Sequence, residues 1–168
     1  MKCMQGTGPV IKVGLAQYRI GKAPLKMMTM ALGSCLGIVL YDAETRMGAM
    51  AHVMHPKRSR VKNNSNRAKF VDTAIGIMIE RMIKRGAMRE KLQAKIFGGA
   101  HMFQHVVGCP GVIQIGDENV ASAREELRAR GIPLVAEDVG GVKGRTLLFD
   151  VSDGSVLVQD AFGNKEIF

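Results

Sequence analysis

Two short apolar segments, separated by four residues, constrain the fold of this chain most strongly. Residues 35–41 and 46–54 are rich in apolar side chains, whereas residues 42–45 read Asp-Ala-Glu-Thr and have a turn composition. Strands joined by so short a loop are antiparallel neighbours. The sequence therefore predicts a β-hairpin in which residues 42–45 form the loop and Tyr41 is paired with Arg46.

The remaining apolar pattern predicts an α/β fold. An apolar stripe at helical spacing predicts a helix over residues 67–85, with Asn66 as its N-cap and Gly86 at its end. The stripe has seven residues: Val71, Ala74, Ile75, Met78, Ile79, Met82 and Ile83. A second helix is predicted to follow the N-cap Asp117 and to end at Gly131. Further strands are predicted at residues 10–20, 26–32, 91–97, 134–139, 146–149 and 156–159. Together these elements indicate one layered α/β domain, with mixed or antiparallel hairpin sheets and about two helices packed on them.

Length and composition indicate a protein that folds without a disulfide or a metal. The chain has 168 residues, of which 46% are hydrophobic and 23% charged, and a chain of this size buries roughly 70% of its unfolded surface. Its apolar runs are far shorter than the roughly 18 residues that span a membrane.

We expect residues 1–9 to be a flexible N-terminus and residues 10–168 to form one domain. The three cysteines, an odd number, favour a reducing, cytoplasmic location: Cys3, Cys35 and Cys109.

The positive charge of the chain predicts an acidic partner. Twenty-four Lys and Arg residues against 15 Asp and Glu give a net charge of +9. Part of this charge is concentrated in one basic segment: Lys57, Arg58, Arg60, Lys62, Arg67 and Lys69. Its neutral polar residues are Asn and Ser, and it contains none of the aromatic residues on which single-stranded nucleic acid stacks. A solvated loop and a surface that docks onto an acidic protein both remain open, and nucleic acid is disfavoured.

The predicted hairpin places a cysteine directly opposite a histidine. With residues 42–45 as the loop, Cys35 faces His52, and directly opposed residues have Cβ atoms about 4.5 to 5.5 Å apart. A free cysteine is only a few per cent thiolate at neutral pH, and a neighbouring imidazolium lowers its pKa. Thr29, on the preceding strand, is positioned to accept a hydrogen bond from the ring and hold one tautomer. A buried cysteine beside a core histidine fits the same spacing.

A sharp bend before the cysteine is also predicted. Gly33 and Ser34 interrupt the strand pattern immediately before Cys35, and a glycine permits backbone conformations that other residues avoid. We expect the backbone here to support an oxyanion, with the N–H of Cys35 as a donor.

Several sequence blocks resemble the CheD family of chemotaxis proteins, the chemoreceptor glutamine deamidases. The resemblance extends over residues 10–159 and keeps the usual order of the family. The blocks are LGSC at 32–35, GAMAHVMHP at 48–56, KFVDTAI at 69–75, KIFGGA at 95–100, IG at 115–116, NV at 119–120 and GIPLVAEDVGG at 131–141. The resemblance implies a layered α/β fold, no cofactor and no metal.

The resemblance also implies an activity and a place of action. It implies that Cys35 is the nucleophile, that His52 is the general acid and base, and that Thr29 orients His52. Receptor glutamines would become glutamates through a thioester, with release of ammonia, by a cytoplasmic enzyme recruited to membrane chemoreceptors without membrane insertion. The phosphatase CheC is an implied partner. Independently of the resemblance, the basic segment follows the His52 strand and would guide the enzyme onto acidic receptor helices through Arg58, Arg60 and Lys62.

Three other interpretations stay open from the sequence. The chain could be a non-catalytic adaptor that binds chemoreceptors and CheC, or a receptor methylesterase, because the same acyl-enzyme chemistry serves both leaving groups. A zinc site is the third: His101, His105 and Cys109 recur every four residues and would share one helix face, with His55 as a further ligand. A glycine and a proline flank Cys109 and disfavour such a helix.

Overall fold

The residues that the structure describes form ten β-strands and two α-helices. The structure is a computed structural model, and it describes residues 8–62, 65–101 and 115–168. The strands are β1 (Val10–Lys12), β2 (Gln17–Lys22), β3 (Lys26–Leu32), β4 (Leu36–Asp42), β5 (Met47–Val53), β6 (Leu92–Gly98), β7 (Leu134–Val139), β8 (Arg145–Asp150), β9 (Val156–Asp160) and β10 (Lys165–Ile167). The helices are α1 (Val71–Lys84) and α2 (Ile115–Ala129). Neither described helix is long and apolar enough to cross a bilayer.

The strands form two mixed sheets of five strands each. The first sheet has the order β1-β3-β8-β9-β10, and the second has the order β2-β5-β4-β6-β7. Neighbouring strands are antiparallel except β1 with β3 and β6 with β7, which are parallel. This arrangement confirms the predicted α/β fold with mixed sheets.

The second sheet is the middle layer of the fold. Strands β4 and β5 are buried along their whole length, as expected for strands that are covered on both faces. One face packs on the first sheet through Val39 and Met50, which belong to the same apolar cluster as Met27 and Phe149 of the first sheet. The other face packs on α1 and α2. A site at the end of the space between the sheets can therefore receive side chains from both.

Helix α1 confirms the predicted apolar stripe with one exception. Six of the seven stripe residues are buried: Val71, Ala74, Ile75, Met78, Ile79 and Met82. The seventh, Ile83, is 39% exposed. The helix begins later than predicted because residues 67–69 form a 3-10 turn, in which the Asn66 side chain accepts from the N–H of Ala68.

Three larger differences from the prediction concern the first strand, helix α2 and the last strand. Residues 10–20 are not one strand, because the chain turns at Ala16 (φ 54°) and passes from the first sheet to the second. Helix α2 begins at Ile115, so Asp117 lies in its first turn rather than at the N-cap. Strand β10 was not predicted, since its three residues are exposed and carry no apolar alternation.

The hairpin of β4 and β5 forms, but its loop is displaced by one residue from the prediction. Asp42 is the last residue of β4 and is paired with Met47, so the loop is residues 43–46. The buried carboxylate of Asp42 accepts hydrogen bonds from the N–H groups of Glu44 and Thr45. These hydrogen bonds form a turn that starts at Asp42, the last residue of β4. The loop therefore begins one residue later than its composition suggested.

The displaced loop shifts the pairing of the two strands by two residues. Gly37, not Cys35, lies directly opposite His52, so the predicted direct pairing of Cys35 with His52 is wrong. A one-residue slip would have moved the side chains to opposite faces, whereas a two-residue shift keeps them on the same face. Cys35 precedes Gly37 by two residues and is therefore diagonal to His52, on the side that faces the first sheet.

Candidate active site

Thr29 and His52 come from different sheets and are joined by a hydrogen bond. Thr29 lies in β3 and His52 in β5, and their exposed fractions are 0% and 4%. The Oγ1 atom of Thr29 lies 2.8 Å from Nδ1 of His52. The structure thus brings together the two residues that the sequence paired, through packing of one sheet on the other.

A second contact of Thr29 determines the direction of this hydrogen bond. Oγ1 of Thr29 also lies 2.8 Å from the carbonyl oxygen of Val13. A hydroxyl has one proton and a carbonyl oxygen only accepts, so Thr29 donates to Val13 and accepts from His52. The neutral ring therefore carries its proton on Nδ1 and its lone pair on Nε2. Nε2 of His52 makes no hydrogen bond to any described residue.

Burial changes the acidity of both Cys35 and His52. Cys35 is a half-buried free cysteine at the edge of the core between the sheets. Burial raises the pKa of the Cys35 thiol and lowers the pKa of the His52 imidazole, so both groups are favoured in their neutral forms. The expected imidazolium that lowers the pKa of the thiol is not supported, because the expectation left out the cost of burying two charges.

The segment that carries Cys35 is held by the chain that follows β6. The carbonyl oxygen of Gly33 accepts from the N–H of Ala100 at 2.8 Å, and that of Cys35 accepts from the N–H of Gly99 at 2.9 Å. Gly98 has a φ of 110°, and a Cβ at this position would lie 2.4 Å from the Cys35 carbonyl oxygen. Only a glycine permits this close approach.

The bend before the nucleophile differs from the prediction. Ala31, with a φ of 59°, has the left-handed conformation that was expected of Gly33. An irregularity in the pairing of β3 with β8 lies between Thr29 and Leu32, and it directs the chain from the first sheet toward the second. The N–H groups of Ser34 and Cys35 donate no hydrogen bond to a described residue.

Asn119 was not predicted as a site residue, although it contacts two of the segments that form the site. Its side chain is fully buried and extends from α2. Nδ2 lies 2.9 Å from the carbonyl oxygen of Ser34 and 3.1 Å from that of Met54. The residue pair at 119–120 belongs to one of the sequence blocks described above, which was the available signal. Nothing in the spacing of Asn119 from Cys35 indicated a contact.

The predicted docking residues lie beside α2, where acidic residues pair with part of the basic segment. Arg60 contacts Glu118 at 2.9 Å, and Lys57 contacts Glu125 at 3.4 Å. Lys62 is exposed. The acidic residues of α2 therefore reduce the local positive charge, and docking through Arg58, Arg60 and Lys62 stays a prediction.

The zinc hypothesis is not tested by the described residues. His101 Nε2 lies 2.9 Å from Oδ2 of Asp117, and the ring of His55 packs against Phe70 with 6.0 Å between centroids. Within the described ranges, no group of three potential metal ligands is present. Two of the candidate ligands lie outside these ranges: His105 and Cys109.

These features define a layered α/β protein in which a threonine of one sheet is hydrogen-bonded to a histidine of the other, beside a loop that contains a cysteine. Residues 54–160 match the family model described as CheD chemotactic sensory transduction. The chain belongs to the CheD family.

Curated relatives support the same assignment over most of the chain. A Moorella thermoacetica protein is 47% identical over 149 residues, or 89% of each chain. A Pyrococcus abyssi protein is 42% identical over 94% of this chain and 95% of its own. A Clostridium botulinum protein is 45% identical over 94% of this chain and 97% of its own. All three are named "Probable chemoreceptor glutamine deamidase CheD".

Two solved structures are similar to this chain, both with a TM-score below 0.5 and low sequence identity. A Neisseria meningitidis protein of the DUF152 family has a TM-score of 0.49 and 11% identity, over 80% of this chain and 65% of that one. The Bacillus licheniformis hypothetical protein YfiH has a TM-score of 0.42 and 14% identity, over 71% of this chain and 49% of that one. The family assignment rests on the sequence matches alone.

Proposed function

We propose that this chain is a cysteine-dependent glutamine deamidase that converts glutamine side chains of chemoreceptors to glutamate. The names of the curated relatives supply the substrate class. The nucleophile is Cys35, the general acid and base is His52, and the residue that orients His52 is Thr29. All three lie on segments that meet at one end of the space between the sheets.

The observation that carries this proposal is the pair of hydrogen bonds made by Thr29. Because Thr29 donates to Val13, it accepts from Nδ1 of His52 and leaves the basic lone pair on Nε2. A general base must have its lone pair free at the start of the reaction and must be held in one orientation. A buried histidine that served only the core would be expected to use both ring nitrogens in hydrogen bonds.

The first half of the reaction forms a thioester. Sγ of Cys35 attacks the carboxamide carbon while its proton moves to Nε2 of His52. The carbonyl oxygen becomes an oxyanion, which the N–H of Cys35 stabilises from the backbone bend that includes Gly33 and Ser34. The C–N bond then breaks as Nε2 returns the proton to the departing nitrogen. Ammonia leaves, and the acyl group remains on Sγ.

The second half of the reaction hydrolyses the thioester. Nε2 of His52 takes a proton from water, and the resulting hydroxide attacks the acyl carbon. The C–S bond breaks, and Sγ of Cys35 recovers its proton from Nε2. The product is a glutamate side chain, and both residues return to the neutral forms that their burial favours.

The proposal extends to how the enzyme reaches its substrate. Glutamine side chains project outward from receptor helices, so the substrate does not need to unfold. The basic segment follows β5, which carries His52, and would guide the enzyme onto acidic receptor helices at the membrane. Binding to the phosphatase CheC is a further prediction of the family resemblance.

The identity of the leaving group distinguishes the proposed deamidase from a receptor methylesterase. The purified protein is incubated with an unmethylated receptor fragment and with a methylated one, and ammonia and methanol are measured. The deamidase predicts ammonia from both samples and no methanol. Methanol from the methylated fragment without ammonia from either would replace the proposal with an esterase.

A further inference from the structure

The loop that carries Cys35 is anchored through three consecutive carbonyl groups. Those of Gly33 and Cys35 accept from backbone N–H groups at 2.8 and 2.9 Å. The carbonyl of Ser34, between them, accepts instead from a side chain, Nδ2 of Asn119, at 2.9 Å. This side-chain contact is the one that a substitution can remove.

The orientation of one peptide unit depends on this contact. The carbonyl of Ser34 and the N–H of Cys35 belong to the same planar trans peptide, so they point in opposite directions. Holding the carbonyl against Asn119 therefore directs the N–H of Cys35 away from α2. Within the described ranges that N–H donates no backbone hydrogen bond, and an oxyanion is its proposed partner.

The amide of Asn119 also joins the two sides of the site. Nδ2 donates a second hydrogen bond, at 3.1 Å, to the carbonyl of Met54, two residues after His52. Because both neighbours are carbonyl oxygens, only the NH₂ end of the side chain can face them. The same group therefore fixes the loop before Cys35 relative to the end of the strand that carries His52.

We propose that Asn119 is a positioning residue that orients the Ser34–Cys35 peptide, so that the N–H of Cys35 stabilises the oxyanion. The inference deepens the proposed function, on which it rests for the natural substrate. Both hydrogen bonds of Asn119 end on backbone carbonyls and neither reaches the Thr29–His52 pair, so we expect its loss to slow acyl transfer more than alkylation of the thiol.

Two reagents separate these effects at Cys35. Acylation of Cys35 by p-nitrophenyl acetate passes through an oxyanion, whereas alkylation by iodoacetamide does not. The rate of each reaction is measured at the peptide that contains Cys35, which excludes the other cysteines of the chain. Removing a single hydrogen-bond donor to an oxyanion lowers kcat about 10²- to 10³-fold. We expect Asn119→Ala to slow acylation at least tenfold and to leave alkylation within about twofold.

Ser122→Ala is the matched control. Ser122 lies on the same helix, is 4% exposed, and donates one hydrogen bond of 2.9 Å to the carbonyl of Pro56. Removing the Ser122 hydroxyl breaks a buried hydrogen bond of the same kind without affecting the Cys35 loop. The rates of acylation and of alkylation should therefore both stay unchanged. If Asn119→Ala does not fold, Asn119→Leu fills a similar volume and removes the donor without burying a charge, with the same selective loss expected.

Each outcome decides the proposal. Equal slowing of acylation and alkylation by Asn119→Ala, or no slowing of either, would overturn the role of Asn119. Selective slowing by Ser122→Ala as well would assign the effect to helix packing and overturn it too. A wild-type protein that acylates Cys35 but leaves receptor glutamines unchanged would refute only the proposed function, because the ester assay needs no receptor.

Discussion

The hydroxyl oxygen of Thr29 lies 2.8 Å from Nδ1 of His52, so a residue of the first sheet holds the ring of a residue of the second. The two residues are 23 positions apart in the sequence. Their contact forms only when the sheets pack through the core that contains Met27, Met50 and Phe149. Assembly of the proposed catalytic group is therefore a consequence of tertiary packing.

Replacing Thr29 by valine should lower turnover with little change in substrate affinity. The substitution keeps the shape but removes the acceptor for Nδ1–H, so the ring is no longer held in the tautomer that leaves Nε2 basic. Loss of general acid and base function lowers the reaction rate about 10²- to 10⁴-fold. We expect Thr29→Val to lower kcat by a factor within or just below that range. The measurement is kcat and KM for glutamine conversion in a receptor fragment.

Thr29→Ser provides the control for this prediction. Serine keeps the hydroxyl, and activity should stay within about tenfold of the wild type, since the same two hydrogen bonds can form. Equal activity of the valine and wild-type proteins would contradict the orienting role of Thr29.

The pH dependence should follow a neutral thiol and a neutral imidazole. Burial lowers the pKa of His52, so catalysis should decline only when the pH falls below about 6.5, the ordinary value for histidine. Burial raises the pKa of Cys35, so its alkylation by iodoacetamide should keep rising beyond about pH 8.5, the ordinary value for a thiol. A plateau of alkylation between pH 5 and 7 would instead indicate a thiolate–imidazolium pair.

Local patterns were sufficient to predict most of the fold. The apolar stripe of α1 and the strand at 134–139 were predicted correctly because each depends on periodicity within one segment. The division of residues 10–20 between two sheets could not be predicted, since it depends on where each half packs. The register of β4 and β5 was wrong because the carboxylate of Asp42 folds back on the loop, which composition alone does not indicate.

Asp42 should stabilise the hairpin in a pH-dependent way. Its buried carboxylate accepts from the N–H groups of Glu44, Thr45 and Met88. Burial alone raises the pKa of Asp42, but these hydrogen bonds together lower it below its ordinary value. A lowered folded-state pKa adds stability that is fully present above the unfolded pKa, about 3.9, and is lost as the pH falls through the folded value.

Substitution of Asp42 provides the test. Asp42→Ala should lower the free energy of unfolding by about 1 to 3 kcal/mol at pH 7, because three N–H groups lose their acceptor. Urea denaturation at pH 7 and at pH 3 measures the effect, and the difference between wild type and variant should shrink at the lower pH. A difference that is independent of pH would show that the carboxylate charge is not what stabilises the loop.

Charge reversal at Arg58 and Lys62 should slow capture of an acidic receptor. We leave Arg60 unchanged in this variant because it pairs with Glu118, and reversing it would also perturb α2. The double variant should lower kcat/KM at low salt and leave kcat unchanged, and the difference should diminish as salt screens the charges. Two reversed lysines on exposed positions of the first sheet, Lys12→Glu in β1 and Lys165→Glu in β10, give a variant of equal charge. Equal losses in both variants would contradict a docking surface in the basic segment.

The chemistry of the site was less accessible from the sequence than the fold. The LGSC block and the histidine at position 52 drew attention to Cys35 and His52, because residue type and spacing are visible in the chain. Asn119 was missed because its contact with Ser34 joins residues 85 positions apart. The pKa directions were missed because burial is a property of the packed molecule.

The most direct test is peptide mass analysis of a chemoreceptor cytoplasmic fragment after incubation with the protein. The wild type and Cys35→Ala are compared under reducing conditions, with thermal unfolding used to verify that both are folded. Glutamine-to-glutamate conversion at defined sites by the wild type, and none by Cys35→Ala, is the predicted result. Conversion that persists in Cys35→Ala, or its absence with the folded wild type, would contradict the proposed function.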